Sequence, residues 1–148
     1  MGAAMSIPSL LRMAALVLLC QYGGAAAAGE LVVIVSAKSS LAALQPAQVA
    51  DIFLGQVVRF PDGEEAVALD HSVGSALRDE FYNKVAGKSP ALVKAYWTKM
   101  IFTGRAQPPR EVAGSAAVRK LVADNPGLIG YIERAALDAS VKPVLVVR

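Results

Sequence analysis

Leu31-Val32-Val33-Ile34-Val35 narrows the possible folds of this chain more than any other stretch. All of its side chains are apolar and most are β-branched. A strand with one wet face alternates apolar and polar residues; an unbroken run suits a strand buried on both faces, as in a parallel sheet. The rest of the sequence supplies the layers such a strand needs. Pro46 fits the first turn of a helix carrying Val49, Ile52 and Phe53 and stopped by Gly55. Val57–Phe60 and Ala66–Leu69 flank Pro61-Asp62-Gly63-Glu64, turn chemistry that predicts a short hairpin or a loop-to-strand transition. Leu77, Phe81 and Val85 recur every four residues, an apolar helical stripe. Ser89 and Pro90 fit the N-cap and first position of a helix whose Leu92, Val93, Tyr96, Trp97, Met100 and Ile101 predict wide burial. Ser115 is placed to cap a helix with Val118, Leu121 and Val122. After the turn Asn125-Pro126-Gly127 come strand-like Leu128–Ile132 and a final strand at Val144–Val147. Strands alternate with helices, so the class is α/β: a central β-sheet flanked by helices.

The first 28 residues read as a cleaved secretory signal: Arg12, the apolar run Met13–Cys20, and the small residues Ala25–Ala28. The apolar run is well short of the roughly 20 residues that span a bilayer. Leu19 is large where lipoprotein processing at Cys20 would want a small residue. The expected organisation is therefore residues 1–28 as signal peptide and 29–148 as one domain. Past the signal there is no cysteine, which excludes disulfides, thiolate metal sites and cysteine nucleophiles there. Removing Arg12 lowers the formal charge from +3 to +2, and no basic block argues for nucleic acid.

Catalytic patterns are weak. His71 is the sole histidine, and with no histidine or cysteine partner it does not suggest metal. Gly74-Ser75-Ala76 is not the Gly-x-Ser-x-Gly elbow. A Ser75–His71 pair would lack an identifiable oxyanion hole. Glu64 and Glu65 lie in a turn, and Asp79 and Glu80 do not face one another on a helix. No catalytic residue, metal site or cofactor is expected.

Anion binding is the better-supported chemistry. A strand ending in Asp70 runs through His71-Ser72-Val73-Gly74-Ser75 into a helix, so free backbone N–H groups and the helix dipole favour an anion there. Ser72 and Ser75 add hydroxyls, Gly74 permits close approach, and Arg78 sits one turn on. The alternative is that Ser72 or Ser75 merely caps the helix, the usual role of such serines. Ser39 and Ser40, in the loop leaving the first strand, are also candidates, because crevices at strand C-termini are where open α/β sheets bind ligands.

These pieces, in this order, resemble the substrate-binding protein family of phosphate ABC transporters. The matching segments are Gln48–Gly55, Phe60–Gly63 leading to Ala68-Leu69-Asp70, and Gly74-Ser75 through Arg78 to Phe81-Tyr82. They continue with Tyr96-Trp97, Ile101–Gly104 and Asn125–Ile132. The resemblance implies a type 2 periplasmic-binding fold, here a single lobe, and a secreted, non-enzymatic protein that holds phosphate or a similar oxyanion. It implies service to phosphate uptake or sensing, with an ABC permease or another envelope protein as partner. The family's Arg-x-x-Gly-Ser-Gly-Thr loop is only partly kept: His71 stands at the arginine position and Ala76-Leu77 replaces Gly-Thr. Family members are about twice this length and close two lobes on the ligand, so a homodimer is one way to complete the site. Of the family loop only Gly74-Ser75 carries over; the expected ligand set, gathered around one crevice, is Ser39, Ser40, Asp70, His71, Ser72, Gly74, Ser75 and Arg78. Arg78 or His71 would supply charge; Asp70 would take a proton from phosphate or orient the loop. A rival reading is an envelope interaction module that kept the fold and lost the ligand.

Overall fold

The computed structural model describes residues 29–148 and Gly2. The expected signal peptide, with Arg12, Leu19 and Cys20, lies outside the described residues. No helix among the described residues is long and apolar enough to cross a membrane.

The elements are β1 (Leu31–Ser36), α1 (Pro46–Phe53), β2 (Val67–Asp70), α2 (Ala76–Ala86), α3 (Pro90–Phe102), β3 (Arg110–Glu111), α4 (Ser115–Asp124), β4 (Leu128–Glu133) and β5 (Val141–Val147). A 3₁₀ turn, Arg134–Ala136, joins the last two strands. The five strands form one sheet in the order β3-β2-β4-β1-β5.

β1 is buried along its whole length, as its composition requires. Its side chains alternate between two cores. Leu31, Val33 and Val35 pack with Val49, Phe53, Phe81 and Trp97 of α1–α3, whereas Val32 and Ile34 pack with Val118 and Val122 of α4. The expected parallel pairing of β1 is corrected: both neighbours, β4 and β5, run antiparallel to it. An apolar run reports burial on two faces, and helices on both faces bury a strand whichever way it points. β2 is parallel to both β3 and β4, so the sheet is mixed. The β1–β5 register shifts at Val33/Ile34, beside Pro143. Proline cannot donate to the ladder and is tolerated on an edge strand or at a bulge.

Two local expectations change, and a third, left open, is decided. α3 buries only Val93 and Trp97 in full, while Leu92 and Ile101 are exposed, because this outermost helix packs along a narrow line rather than a wide face. Gly114, with φ 94°, rather than Ser115, is the N-cap of α4; Ser115 is the first helical residue, and its hydroxyl accepts from the Glu133 N–H at 3.4 Å. The segment before β2 is a loop-to-strand transition with one bridge, Arg59 to Glu65. α4 and the sheet approach closely at Gly130 of β4, where an added Cβ would lie 2.5 Å from Val118 Cγ1.

Candidate functional site

β2 delivers Asp70 to the interior, where its side chain is 1% exposed. A carboxylate there must be compensated, and four donors converge on it. Oδ1 accepts from the His71 N–H at 2.8 Å and from the Tyr131 hydroxyl. Oδ2 accepts from the Tyr82 hydroxyl at 2.6 Å and Arg78 Nε at 3.3 Å. Burial first, and then the Asp70 charge and its hydrogen bonds, push both phenols far above the ordinary tyrosine pKa, so Tyr82 and Tyr131 remain donors. Tyr131 is held by stacking on Phe81 (ring centroids 3.9 Å apart), and Phe81 packs on Phe53 at 4.7 Å. The Asp70 hub is thus clamped to the main core.

Arg78 is the cationic member of the hub, with its side chain 10% exposed. Its Nε holds Asp70, and its guanidinium carbon lies 5.1 Å from the centre of the Tyr82 ring. Its terminal nitrogens have no hydrogen-bond partner among the described residues, and Arg78 lines a cavity of about 610 Å³. Asp70 and Gly74 also line it; Pro90, Ala91 and Trp97 come from α3, and Pro108, Pro109 and Glu111 from β3 and the segment leading into it.

The loop before α2 shows both roles considered for it. Ser75 is the N-cap, its Oγ accepting the Arg78 N–H at 3.2 Å. Gly74 has φ 87°, a conformation that glycine supplies without strain. Ser72 is exposed, and the Val73 N–H already donates to Glu111 Oε1 at 2.6 Å. His71 is directed elsewhere. Its Nε2 lies 2.7 Å from the Tyr131 carbonyl, so that nitrogen carries the proton and the ring is tied into the core.

The structure brings Asp70, Gly74 and Arg78 to one cavity, with Ser72 and Ser75 in the adjoining loop. The single crevice is corrected for Ser39 and Ser40. They line a separate depression with Lys38, Asp62, Glu64 and Glu65. Ser40 Oγ donates to Asp62 Oδ2 at 3.1 Å, and Ser39 Oγ accepts the Leu41 N–H at 3.2 Å. The reason is strand direction. β1 runs antiparallel to β4 and β2 parallel to it, so the loops leaving β1 and β2 emerge at opposite ends of the sheet. The carboxylates around Ser39 and Ser40 also oppose an anion.

Sequence reasoning did not pick out Tyr82, Tyr131 or Glu111 as members of this site. The available signal was a phenol in the otherwise apolar strand Leu128–Ile132, since a buried tyrosine hydroxyl seeks a partner. Among the described residues no cluster of three metal-ligating side chains occurs.

This is the fold of periplasmic binding proteins, over part of their length. No protein-family profile and no curated protein sequence matches the chain, but solved structures do. One is from Clostridium perfringens, assigned as a phosphate ABC transporter substrate-binding protein and solved with bound phosphate. It matches at TM-score 0.61 and 25% identity, over 78% of this chain and 44% of its own. An ABC-type phosphate transport receptor from Vibrio cholerae matches at TM-score 0.62 and 18% identity, over 78% of this chain and 45% of its own. PstS from Borrelia burgdorferi gives TM-score 0.58 and 13% identity, over 78% and 46%. The chain therefore resembles phosphate ABC transporter substrate-binding proteins in fold, and it spans less than half the length of these structures.

Proposed function

We propose that this chain is an exported, non-catalytic protein that binds phosphate or a similar oxyanion in the envelope and serves phosphate uptake or sensing, with residues 29–148 as its binding domain. The observation that carries the reading is Arg78. Nine-tenths buried and gripped through Nε by Asp70, it leaves its terminal nitrogens for a ligand on the cavity wall beside Gly74 and the first turn of α2. A preset guanidinium fork and helix-end amides are what oxyanion recognition uses. The non-catalytic part of the reading is supported by His71 and Ser75, whose polar atoms are engaged with the Tyr131 carbonyl and the Arg78 N–H rather than with each other. An ABC permease is the proposed partner.

The test is calorimetric titration of phosphate-free protein with phosphate and sulfate, alongside the Ser75→Asp variant. Aspartate keeps the helix cap but sets a carboxylate beside Arg78, so binding should be lost while thermal stability holds. Absence of saturable heat at millimolar concentration with phosphate, sulfate and an organic phosphonate alike would overturn the proposal.

The interaction-module reading keeps one observation in its favour: Leu92, Ile101 and Phe102 of α3 are exposed, Phe102 by 90%. A stable homodimer lost on Phe102→Asp, in a protein silent to anions, is the outcome that would favour it.

A further inference from the structure

The cavity beside Arg78 is built for more than a small inorganic ion. Its volume of about 610 Å³ falls in the range of sites for drug-sized organic molecules. A tetrahedral oxyanion of five heavy atoms occupies on the order of 150 Å³ if each atom displaces about one water. The remaining space is walled by Pro90, Ala91, Trp97, Pro108 and Pro109, a largely apolar surface facing Arg78.

The charges point the same way. The lining carries two cationic side chains, Arg78 and Lys94, against three carboxylates, Asp70, Asp79 and Glu111. Arg78 is already paired with Asp70. One loop amide that an anion would use, the Val73 N–H, is taken by Glu111 at 2.6 Å. A compact dianion therefore meets a lining that is not net positive and an incomplete set of donors. An anion that also buries apolar surface gains from the walls what the charges do not provide.

We infer that the ligand of this cavity is an organic oxyanion, a phosphonate or phosphate monoester with an apolar substituent. Its head lies at the Arg78 terminal nitrogens and Gly74, and its substituent lies against Trp97, Pro108 and Pro109. The inference rests on the oxyanion reading above and narrows its ligand class.

Trp97 is the only tryptophan in the chain, so its fluorescence reports on this wall directly. The full-length protein is titrated with inorganic phosphate, methylphosphonate, phenylphosphonate and benzyl alcohol, with calorimetry in parallel. Phenylphosphonate should bind at least tenfold more tightly than methylphosphonate or phosphate, the gain expected from removing about 60 Å² of aryl surface from water. Benzyl alcohol, lacking the head, should be silent. Ala91→Gln, which puts an amide on the apolar wall, should bring the phenyl-to-methyl ratio below threefold. Equal affinity for phosphate and both phosphonates would overturn this inference and leave the oxyanion reading standing. Silence with every anion, or equal binding of benzyl alcohol and phenylphosphonate, would overturn both.

Discussion

Replacing Asp70 by asparagine keeps the shape of the hub and removes its charge. The four donors then face one carbonyl oxygen and one amide. With the amide at the Oδ2 position, the Tyr82 hydroxyl rotates to accept, but Arg78 Nε–H, 3.3 Å away, can only donate and is stranded. With the amide at the Oδ1 position, the Tyr131 hydroxyl accepts and the His71 N–H keeps that hydroxyl as a second partner at 3.3 Å. The second arrangement costs less, so the carbonyl should turn toward Arg78. Even so, the guanidinium loses its counter-charge. Removing one partner of a buried pair costs about 3–5 kcal/mol, and the Arg78 side chain, 10% exposed on an open cavity, keeps some hydration. We expect about 3 kcal/mol, or a fall in Tm of about 10–15 °C for a domain of this size. Urea unfolding followed by Trp97 fluorescence reads it, with Tyr82→Phe as a milder companion that loses one charge-assisted bond, about 1.5–2 kcal/mol. A cost below about 1 kcal/mol for Asp70→Asn would refute the hub as the organiser of this end of the fold.

Two further predictions concern pH and packing. Tyr82 and Tyr131 have folded-state pKa values raised well above the ordinary phenol value of 10.0, so their contribution is intact below about pH 10, where folded and unfolded chains both hold the protons. It is lost as pH rises above that, because only the unfolded chain releases them, at a limiting slope of about 2.7 kcal/mol per pH unit for the two phenols together; the unfolding free energy from urea melts should change little from this source below about pH 9.5 and approach this slope above about pH 10.5, and Tyr82→Phe should halve it. Gly130→Ala should destabilise by about 1–3 kcal/mol through overpacking, and Val118→Ala in the same chain should recover most of the loss by removing the methyl that the new Cβ meets at 2.5 Å; additive costs in calorimetric melting of the double variant would contradict that contact.

Legibility followed the range of the interaction. Ser75 and Ser89 cap α2 and α3, and Pro46 and Pro90 open α1 and α3, because caps and turns act within a few residues. The buried β1 was legible from five side chains. The buried face of α3 is narrower than its periodicity predicts, since periodicity gives a helix an apolar side without saying how much of it finds a neighbour: Leu92 and Ile101 stay outside the core.

The candidate site was legible in the same proportion. The strand–loop–helix from Asp70 to Arg78 is a local pattern, and its cap, its glycine turn and the proximity of Arg78 all follow from short spacings. What surrounds it comes from far along the chain. Tyr131 reaches Asp70 across 61 residues, and Glu111 reaches Val73 across 38. Ser39 and Ser40 fell away from the site because β1 runs opposite to β2. Sequence by itself determined which segments become the helices and every strand except the short β3, and where a helix end could meet an anion, because hydrophobic period and capping chemistry are written in neighbouring residues. Strand direction, the partners of the buried Asp70 charge and the apolar wall facing Arg78 were decided only by the tertiary structure, because an apolar run states that a residue is buried and not what it is buried against.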